Sequence, residues 1–447
     1  MAMDLKACLN KLEQAGRLAH VITEVDLKHE MAGICAKLEG KQVLQFDRLK
    51  GQKYPVVSGM WWNRDNLAAI FDTTAEKLPF LFSDAVKSMS SAPVAPVVVE
   101  DAPAQQERMK QPDLTQLPIP TLALLDGGPY FSNCIIIAKD PDTGVRNTSI
   151  HRLMVTGKDR LGILMDTGRH LRNYYERAQE RGEALEITIN NGVHPAYYVA
   201  ATTPSSAAPL EVDELAVASH LLGEPARLCC SHTVAPEGIA DAQLIMEGEV
   251  LPHIREPEGP FGEVSGYYAS QDDRWVVKIK EITMQKDPVI HMLHPGKEVW
   301  NSVGLTAEAG IFQSVGKQVS GLKKVYLSHG GSHYHAILQM DPPQNGMAKN
   351  AILAAFAAFP ALQMVTVVNS DVNLYDTEDV ERAMVTRCDP AKDIIIIPNA
   401  FGHELNPVVK DGMAAKMGFD CTCPLPRAEK YTRVEFQNVD LSNYQIQ

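Results

Sequence analysis

The spacing of apolar residues changes twice along the chain, and these changes predict three regions. In the first region, apolar residues recur at helical spacing from Leu5 to Leu12, which predicts an amphipathic helix. Short apolar runs such as residues 56–60 lie between further helical patterns. We therefore predict an α/β domain over residues 1–110, and its Pro- and Ala-rich segment at residues 90–104 is predicted to be an extended linker.

The middle region, residues 111–305, is rich in predicted strands. Residues 140–144 have strong turn chemistry between two apolar runs, which predicts a hairpin. Helical patterns interrupt the strands at residues 168–181 and 213–222, and a glycine follows each of them. The predicted strands cover residues 134–138, 147–155, 185–189, 242–246 and 276–282. Antiparallel strands with few helices predict a barrel-like sheet domain.

In the last region, residues 306–447, helical and strand patterns alternate, which predicts a second α/β domain. The longest apolar stretch, residues 351–368, approaches the length of a membrane span. Pro360 and Gln363 divide it, so a buried helix followed by a short strand is the better interpretation, and no membrane span is expected. The predicted elements are helices at residues 351–359 and 377–384 and strands at residues 365–369 and 394–397.

The composition is typical of a globular enzyme with several domains. The chain has 447 residues, of which 45% are hydrophobic and 22% charged. A formal net charge of -13 argues against a nucleic-acid partner, because contacts to phosphate depend on Lys and Arg. The eight cysteines lack a paired CxxC pattern and no export signal is recognised, so we expect reduced thiols and a cytoplasmic location.

The strand predicted at residues 147–152 carries more polar groups than a sheet requires. Alternation assigns its residues to two faces, with Asn147, Ser149 and His151 on one and Thr148, Ile150 and Arg152 on the other. Considered alone, this segment is equally well interpreted as an ordinary half-solvated strand.

A basic turn begins the helix predicted after it. Residues 167–172 place Arg169, His170 and Arg172 where free backbone N–H groups favour an anion. Basic side chains oppose the helix dipole there unless a phosphate or another anion binds. A solvated basic turn is the alternative.

Further candidates are acidic. Glu258 and Glu263 bracket a Gly-Pro turn, which can hold two carboxylates in one cavity for general acid/base work. A Glu-rich surface turn is the competing interpretation. Glu214 lies in the first turn of its predicted helix, where it can simply complement the dipole. Spacing alone does not connect it to Asn147 or His170.

In their order along the chain, these segments resemble the UbiD family of prenylated-flavin-dependent (de)carboxylases. The resemblance rests on Asn147-Thr-Ser-Ile-His-Arg152, Gly168-Arg-His170, Glu214 ahead of Leu222-Gly-Glu-Pro225, and Glu258-Gly-Pro-Phe-Gly-Glu263. It extends from about residue 5 to residue 422, with further matches at Asp140-Pro-Asp-Thr-Gly144, Asp371-Val-Asn-Leu-Tyr-Asp376, Thr386-Arg387 and Lys416-Met-Gly-Phe-Asp420.

This resemblance implies a cofactor site. Asn147, His170 and Glu214 are expected to bind a divalent ion, Mn2+ by preference, that holds the phosphate of prenylated FMN. Oxygen ligands with one imidazole suit such an ion. A K+ site is expected from backbone carbonyls of residues 200–203 together with Glu214. The implied cofactor-binding residues are Asn147, Ser149, Ile150, His151, Arg152, Arg169, His170 and Glu214.

The resemblance also implies the chemistry. Arg152, Glu258 and Glu263 are expected to form a catalytic network beside the flavin, with Glu263 as the proton donor. The expected reaction is a reversible, non-oxidative decarboxylation through a covalent adduct between substrate and cofactor. Losing CO2 from an aromatic acid leaves a carbanion that no side chain stabilises, so the cofactor must take up the electrons. A separate flavin prenyltransferase is expected to supply this cofactor.

For the fold, the family implies an N-terminal α/β domain, a split β-barrel related to flavin-reductase domains, and a C-terminal α/β domain. The barrel, residues 111–305, is expected to bind the cofactor. The C-terminal domain, residues 306–447, is expected to serve oligomerisation and the substrate pocket, in a homodimer or homohexamer.

Residues that select the substrate are expected after Glu263 and in the C-terminal domain. The candidates are His294, Trp300, Asn301, His333, His335, Phe401, His403 and Leu405. No arginine lies between residues 277 and 362, so a clamp for a second carboxylate is not apparent. This favours an aromatic or heteroaromatic monocarboxylic acid whose ring NH or OH contacts Asn301 or a histidine.

Two other functions remain open at this point. The first is a flavin oxidoreductase on the same barrel, which the sequence disfavours because no G-x-G-x-x-G follows a strand. The second is a non-catalytic flavin-binding subunit. The intact set of Arg152, Glu258 and Glu263 argues against it.

Overall fold

The computed structural model describes most of the chain as a mixed α/β fold of several sheets. The described residues are 4–166, 168–203, 208, 212–434 and 437–440. The ends of the two predicted outer domains, residues 1–3 and 441–447, and Thr167 of the basic turn lie outside them.

The N-terminal region packs helices against a small sheet. Its elements are α1 (Leu5–Gln14), β1 (Leu18–Val21), α2 (Glu30–Leu38), β2 (Val43–Phe46), β3 (Val56–Ser58), α3 (Arg64–Ile70) and α4 (Leu78–Ser91). The buried residues of α1 are Leu5, Cys8, Leu9 and Leu12, which confirms the predicted helix. Beside β3 lies a strand from the middle region, Ile290–His291, so the sheet joins two parts of the chain.

The predicted linker is largely extended. It contains β4 (Val97–Val98), both of whose residues are exposed. β5 (Glu107–Met109) follows it and pairs with a long strand of the middle region.

The middle region is built on one large antiparallel sheet. Its elements are β6 (Tyr130–Lys139), β7 (Arg146–Val155), β8 (Arg160–Ile163), α5 (His170–Glu180), β9 (Leu185–Asn191), α6 (Pro195–Ala201), α7 (Leu215–Leu222), β10 (Arg227–Cys229), β11 (Gly238–Ile239), β12 (Leu244–Glu258), β13 (Phe261–Gly262), β14 (Tyr268–Ala269), β15 (Asp272–Met284) and β16 (Ile290–His291). The predicted hairpin is confirmed as β6 and β7. The sheet order is β12-β9-β6-β7-β8-β15-β5, and β12 also pairs with β15, so the pairing returns to its starting strand. A relation to flavin-reductase barrels stays a prediction.

Two strands are much longer than predicted. Instead of residues 242–246 and 276–282, β12 has 15 residues and β15 has 13. The register of β12 shifts between Glu247 and Gly248 and again between Val250 and Arg255. Because a bulge breaks the two-residue alternation, the sequence pattern ends before the strand does. The difference matters for function, since the last residue of β12 is Glu258.

The C-terminal region is a second α/β unit. Its elements are α8 (Lys297–Gln318), β17 (Leu322–Leu327), β18 (His335–Met340), α9 (Met347–Ala358), β19 (Met364–Val368), α10 (Thr377–Arg387), α11 (Pro390–Asp393), β20 (Ile394–Phe401) and β21 (Met413–Cys421). The sheet order is β17-β18-β19-β21-β20, with β18, β19 and β21 parallel. α9 and β19 confirm the predicted division of the longest apolar stretch. Within the described residues, no helix is long and apolar enough to cross a bilayer.

The long helix α8 was not predicted. It runs through the proposed domain boundary between residues 305 and 306, so the helical start of the C-terminal region lies earlier, at Lys297. Its sequence lacks a clear apolar stripe because several of its buried side chains are polar. These are Glu298, Asn301, Ser302, Thr306 and Glu308.

Candidate active site

β7 and the end of β12 bring together the predicted catalytic residues. Arg152 donates from Nε and Nη2 to the two carboxylate oxygens of Glu258, at 3.1 and 3.0 Å. Its remaining nitrogen, Nη1, donates to Glu263. The Glu258 side chain is fully buried, and those of Arg152 and Glu263 are 8% and 11% exposed. One planar guanidinium therefore orients two carboxylates.

Tyr130 on β6 supports Glu258 from another side. Its hydroxyl donates to Glu258 Oε1 at 2.9 Å. Burial, and then the Glu258 carboxylate, raise the pKa of Tyr130 above its usual range, so the hydroxyl keeps its proton. The Phe261 ring lies 4.4 Å from the Tyr130 ring and 5.0 Å from the Arg152 guanidinium, which completes the packing.

Arg152 and Glu263 line a cleft with an empty volume of about 770 Å3. Most of its other walls are apolar. The lining residues are Ser132, Ile150, His151, Arg152, Leu164, Asp166, Phe261, Gly262, Glu263, Val264, Leu293, Pro295, Val299, Ser302, Val303 and Leu405. Among these described residues, Arg152 is the one Lys or Arg, and two carboxylates already pair with it.

His151 borders the same cleft in a fixed orientation. Its Nδ1 lies 3.0 Å from the carbonyl oxygen of Leu164, and its Nε2 lies 3.1 Å from Ser149 Oγ. Burial lowers the pKa of His151 to about 4, so the ring is neutral at pH 7. A carbonyl can only accept, so Nδ1 carries the proton and Nε2 accepts from Ser149. Two of the predicted cofactor-binding residues therefore hold each other in place.

The three predicted metal ligands also come together. Asn147 Nδ2 donates to Glu214 Oε1 at 2.9 Å, and His170 Nδ1 lies 3.5 Å from the same oxygen. The backbone N–H of Thr148 donates to Glu214 Oε2 at 3.0 Å. Asn147 Oδ1 is buried and has no hydrogen-bond partner among the described residues. These residues start β7, start α5 and precede α7, which explains why they are distant in sequence.

This group fits a divalent cation. A buried amide oxygen without a donor is unfavourable, and a metal ion bound by Asn147 Oδ1, Glu214 and His170 would satisfy it. Two oxygen ligands and an imidazole suit Mn2+. Arg169, the N-cap of α5, is exposed beside the free N–H groups of the first helical turn, where a phosphate is favoured.

The residues predicted to bind K+ lie at the end of α6. Of these carbonyls, that of Ala200 accepts from the Thr203 N–H at 3.2 Å and so has a partner within the protein. The K+ site at residues 200–203 therefore stays a prediction.

Most residues predicted to select the substrate do not line this cleft. Asn301 donates from Nδ2 to the carbonyls of Trp61 and Trp62, and its Oδ1 lies 3.0 Å from His329 Nε2. Of the candidates, Leu405 lines the cleft. The described lining does not include His294, Trp300, Asn301, His333, His335, Phe401 or His403.

Two of these side chains have other surroundings. His335 Nε2 lies 2.8 Å from Thr366 Oγ1, and Phe401 is 61% exposed. The role of these candidates in substrate binding stays a prediction. Sequence reasoning missed Val299, Ser302 and Val303, since nothing in the pattern predicted the helix that carries them.

Three domain families match the chain in series. They are the N-terminal, Rift-related and C-terminal domains of 3-octaprenyl-4-hydroxybenzoate carboxy-lyase, at residues 9–86, 96–298 and 301–421. The chain belongs to the UbiD family. The resemblance read from the sequence motifs is thus confirmed, and UbiD proteins are carboxy-lyases.

UbiD relatives align over almost the whole chain. Anhydromevalonate phosphate decarboxylase of Methanothermobacter thermautotrophicus is 36% identical over 429 residues, which are 95% of this chain and 99% of that protein. HmfF of Pelotomaculum thermopropionicum, a UbiD-class enzyme, has been solved with FMN (38% identity, TM-score 0.94) and, in an evolved dimeric form, with prenylated FMN (37%, 0.90). Each pairing covers 99% of this chain and 100% of HmfF. The 3,4-dihydroxybenzoic acid decarboxylase AroY of Klebsiella pneumoniae is 30% identical, with a TM-score of 0.91 and 98% coverage of both chains.

Proposed function

We propose that this chain decarboxylates an aromatic or heteroaromatic monocarboxylic acid with the help of prenylated FMN, and that Glu263 donates the proton. The observation that carries the proposal is the group of Arg152, Glu258 and Glu263 at the wall of the cleft. The relatives support it, since HmfF binds prenylated FMN and AroY acts on an aromatic acid.

The cofactor supplies the electron sink for the pair left when CO2 departs. Asn147, His170 and Glu214 would hold a divalent ion such as Mn2+ for its phosphate, and the N–H groups at the start of α5 would be available to the same phosphate. The ring of strands provides a rigid frame for this site, as expected for a split barrel. A separate prenyltransferase makes the cofactor.

Glu263 is better suited than Glu258 to deliver the proton. Glu258 is fully buried, and both of its oxygens accept hydrogen bonds from Arg152, with another from Tyr130. Glu263 accepts a hydrogen bond from a single nitrogen of Arg152, and it lines the cleft. Its second oxygen can therefore carry a proton to the substrate carbon. Because the step is reversible, high CO2 drives carboxylation.

The charge of the cleft favours a substrate with one carboxylate. In the described lining, Arg152 is the sole Lys or Arg and its charge is balanced by two glutamates. No cation of the lining is left for the substrate, so a second carboxylate or a phosphate would add uncompensated buried charge to the one carboxylate that the reaction requires, which is costly. The relative that acts on anhydromevalonate phosphate suggests the second candidate, an unsaturated acid with a phosphate.

The test is to co-express the chain with a flavin prenyltransferase, record the bound chromophore and measure CO2 release. We expect turnover of pyrrole-, indole- or hydroxybenzoate-type monoacids. Equal turnover of a furan dicarboxylate and its monoacid contradicts the preference for one carboxylate, and turnover of an unsaturated acid phosphate alone supports the second candidate. NAD(P)H oxidation without CO2 release indicates an oxidoreductase. No reaction by the fully loaded protein indicates a binding subunit.

A substitution at Glu263 tests its proposed role as the proton donor. Glu263→Gln is expected to lower kcat by about 100-fold or more, because general acid catalysis contributes roughly 10^2 to 10^4 in rate. Glu256→Gln is the matched control. Glu256 lies on β12, two residues before Glu258, and neither Glu256 nor its partner Arg160 belongs to the cleft lining. Full activity of Glu263→Gln removes Glu263 as the acid.

A further inference from the structure

Glu263 lies on a short loop, residues 259–266, which we call the acid loop. The loop has few bonds of its own. Phe261 and Gly262 pair with Ala269 and Tyr268, and the Glu263 N–H donates to the Tyr267 carbonyl at 2.9 Å. These bonds shape the loop, but they do not set its distance from the substrate. Contacts from outside the loop must do so.

Two outside contacts hold the backbone on either side of Glu263. Asp126 Oδ1 accepts from the Gly262 N–H at 2.8 Å, and Trp300 Nε1 donates to the Val264 carbonyl at 2.8 Å. Next to Asp126, a Cβ on Gly127 would lie 2.2 Å from the Gly259 carbonyl oxygen, so the two segments are in tight contact. Asp126 and Gly127 precede β6, and they fix the loop to the middle region that contains it.

Trp300 is different, because it belongs to α8. The same two turns of α8 supply Val299, Ser302 and Val303 to the wall of the cleft. The hydrogen bond from Trp300 therefore joins the wall against which a substrate packs to the loop that carries the acid. Its ring also lies 5.7 Å from the His329 ring of the C-terminal region.

This part of α8 is itself held firmly. The buried Glu298 carboxylate accepts from Ser58 Oγ and the Gly59 N–H, both at 2.7 Å, and from the His294 N–H at 2.8 Å. Asn301 binds the carbonyl oxygens of Trp61 and Trp62. Because neighbours on both sides of Trp300 are tied to the N-terminal region, the indole is a fixed point from which the acid loop can be positioned.

We propose that Trp300 is a positioning residue for Glu263, which couples the acid loop to the substrate wall through the hydrogen bond from its indole N–H to the Val264 carbonyl. The inference rests on the proposed role of Glu263. Within the part of the chain that the structure describes, Trp300 makes no polar contact with the guanidinium or the carboxylates of the catalytic group. Trp300 therefore acts by fixing the position of Glu263 relative to the substrate. Misplacement of a catalytic group by about 1 Å can lower the rate by about 100-fold.

The test compares two variants of the loaded enzyme. Trp300→Phe keeps an aromatic ring but removes the donor, and Trp300→His restores a ring N–H. For Trp300→Phe we expect kcat to fall about 10-fold with KM within twofold. The solvent deuterium isotope effect on kcat should rise, since delivery of the exchangeable Glu263 proton becomes slower. Trp300→His should recover part of kcat. The chromophore reports cofactor loading in each protein.

The matched control is Trp275→Phe. Trp275 lies on β15 and packs on Arg172 and Arg255, at 4.2 and 5.1 Å from its ring, and its indole N–H has no partner in the part of the chain that the structure describes. The same substitution there removes no contact with the acid loop. We expect wild-type kcat and an unchanged isotope effect.

The outcomes separate the two proposals. Wild-type kcat and isotope effect in Trp300→Phe, beside an inactive Glu263→Gln, overturn the role of Trp300 and leave the proposed function intact. A lower kcat with an unchanged isotope effect and a lower Tm also overturns it, because that result indicates a merely structural contact. An active Glu263→Gln removes the proposed acid itself, and the role of Trp300 with it.

Discussion

Two groups of side chains in the molecule combine a histidine with oxygen ligands. The first is the site of Asn147, His170 and Glu214, and the second is the cluster of His232, Glu247 and Glu281. In the second cluster, one ligand atom from each residue lies within 4.8 Å of the others, as a metal site requires. Both oxygens of Glu214 accept hydrogen bonds, so the two groups differ in the amide oxygen of Asn147 and in the cationic side chain beside the carboxylates. Asn147 Oδ1 is buried without a donor, and no Lys or Arg among the described residues pairs with Glu214.

In the second cluster every carboxylate is already satisfied. Glu247 accepts from the N–H groups of His232 and Thr233, at 2.9 and 2.6 Å. Glu281 is bound by Arg108, whose Nε and Nη2 donate at 2.7 and 2.8 Å. Arg108 thus already supplies Glu281 with a positive charge. We infer from the comparison that an unsatisfied acceptor is a better criterion for proposing a cation site than the number of nearby ligand types.

The largest expected difference between the two groups is in metal binding. Glu214→Gln should lower Mn2+ affinity and kcat by about 100-fold or more, because even residues outside the ligand set cost about 10 to 100-fold. Glu281→Gln should leave both unchanged. Metal analysis of the purified proteins and CO2 release measure the effect. Normal metal content in Glu214→Gln would contradict the assignment.

Added Mn2+ should separate the groups in stability. At an Mn2+ concentration 100 times Kd, a native-state site gains about 2.7 kcal/mol in the free energy of unfolding. We expect Mn2+ to raise the Tm of the wild type and of Glu247→Gln, and a chelator to reverse the rise. Glu214→Gln should not respond. If Mn2+ raised the Tm of Glu214→Gln but not that of Glu247→Gln, the metal site would have to be assigned to the second cluster instead.

A smaller effect is expected from removing the cation of the second cluster. The hydrogen bond from Arg108 lowers the pKa of Glu281 below its usual 4.5. The lowered pKa contributes stability that is fully present above about pH 4.5 and is lost as the pH falls through the folded-state value. Arg108→Gln should therefore lower the Tm by about 1 °C at pH 7 and by less at pH 4. An equal loss at both pH values would exclude the ion pair as its cause.

Local patterns predicted the elements whose burial follows one period. The spacing of Leu171, Tyr174, Tyr175 and Ala178 predicted the buried side of α5, and all four are buried. α8 could not be found in this way. Its Glu298 and Glu308 are buried because Ser58 and Arg64, more than 200 positions away, bind them. No local window contains that information.

The same limit applies to the site. Asn147, His170 and Glu214 meet only in the folded chain, and it was the resemblance to a family, not their spacing, that connected them. Substrate-selecting residues were predicted after Glu263 and in the C-terminal domain, mostly at histidine, aromatic and amide side chains, whereas the cleft is lined by Val299 and Val303 of α8. An apolar residue on an unrecognised helix gives no chemical signal in the sequence.

The side chains of α8 fall into two groups with different contacts. Glu298, Asn301 and Glu308 bind the neighbouring regions, and Val299 and Val303 border the cleft. Exchanging either valine for a smaller or larger side chain reshapes the cavity without touching those polar bonds. New substrate preferences can thus arise by drift at two positions while the assembly of the chain is conserved, which makes this helix a natural starting place for laboratory evolution.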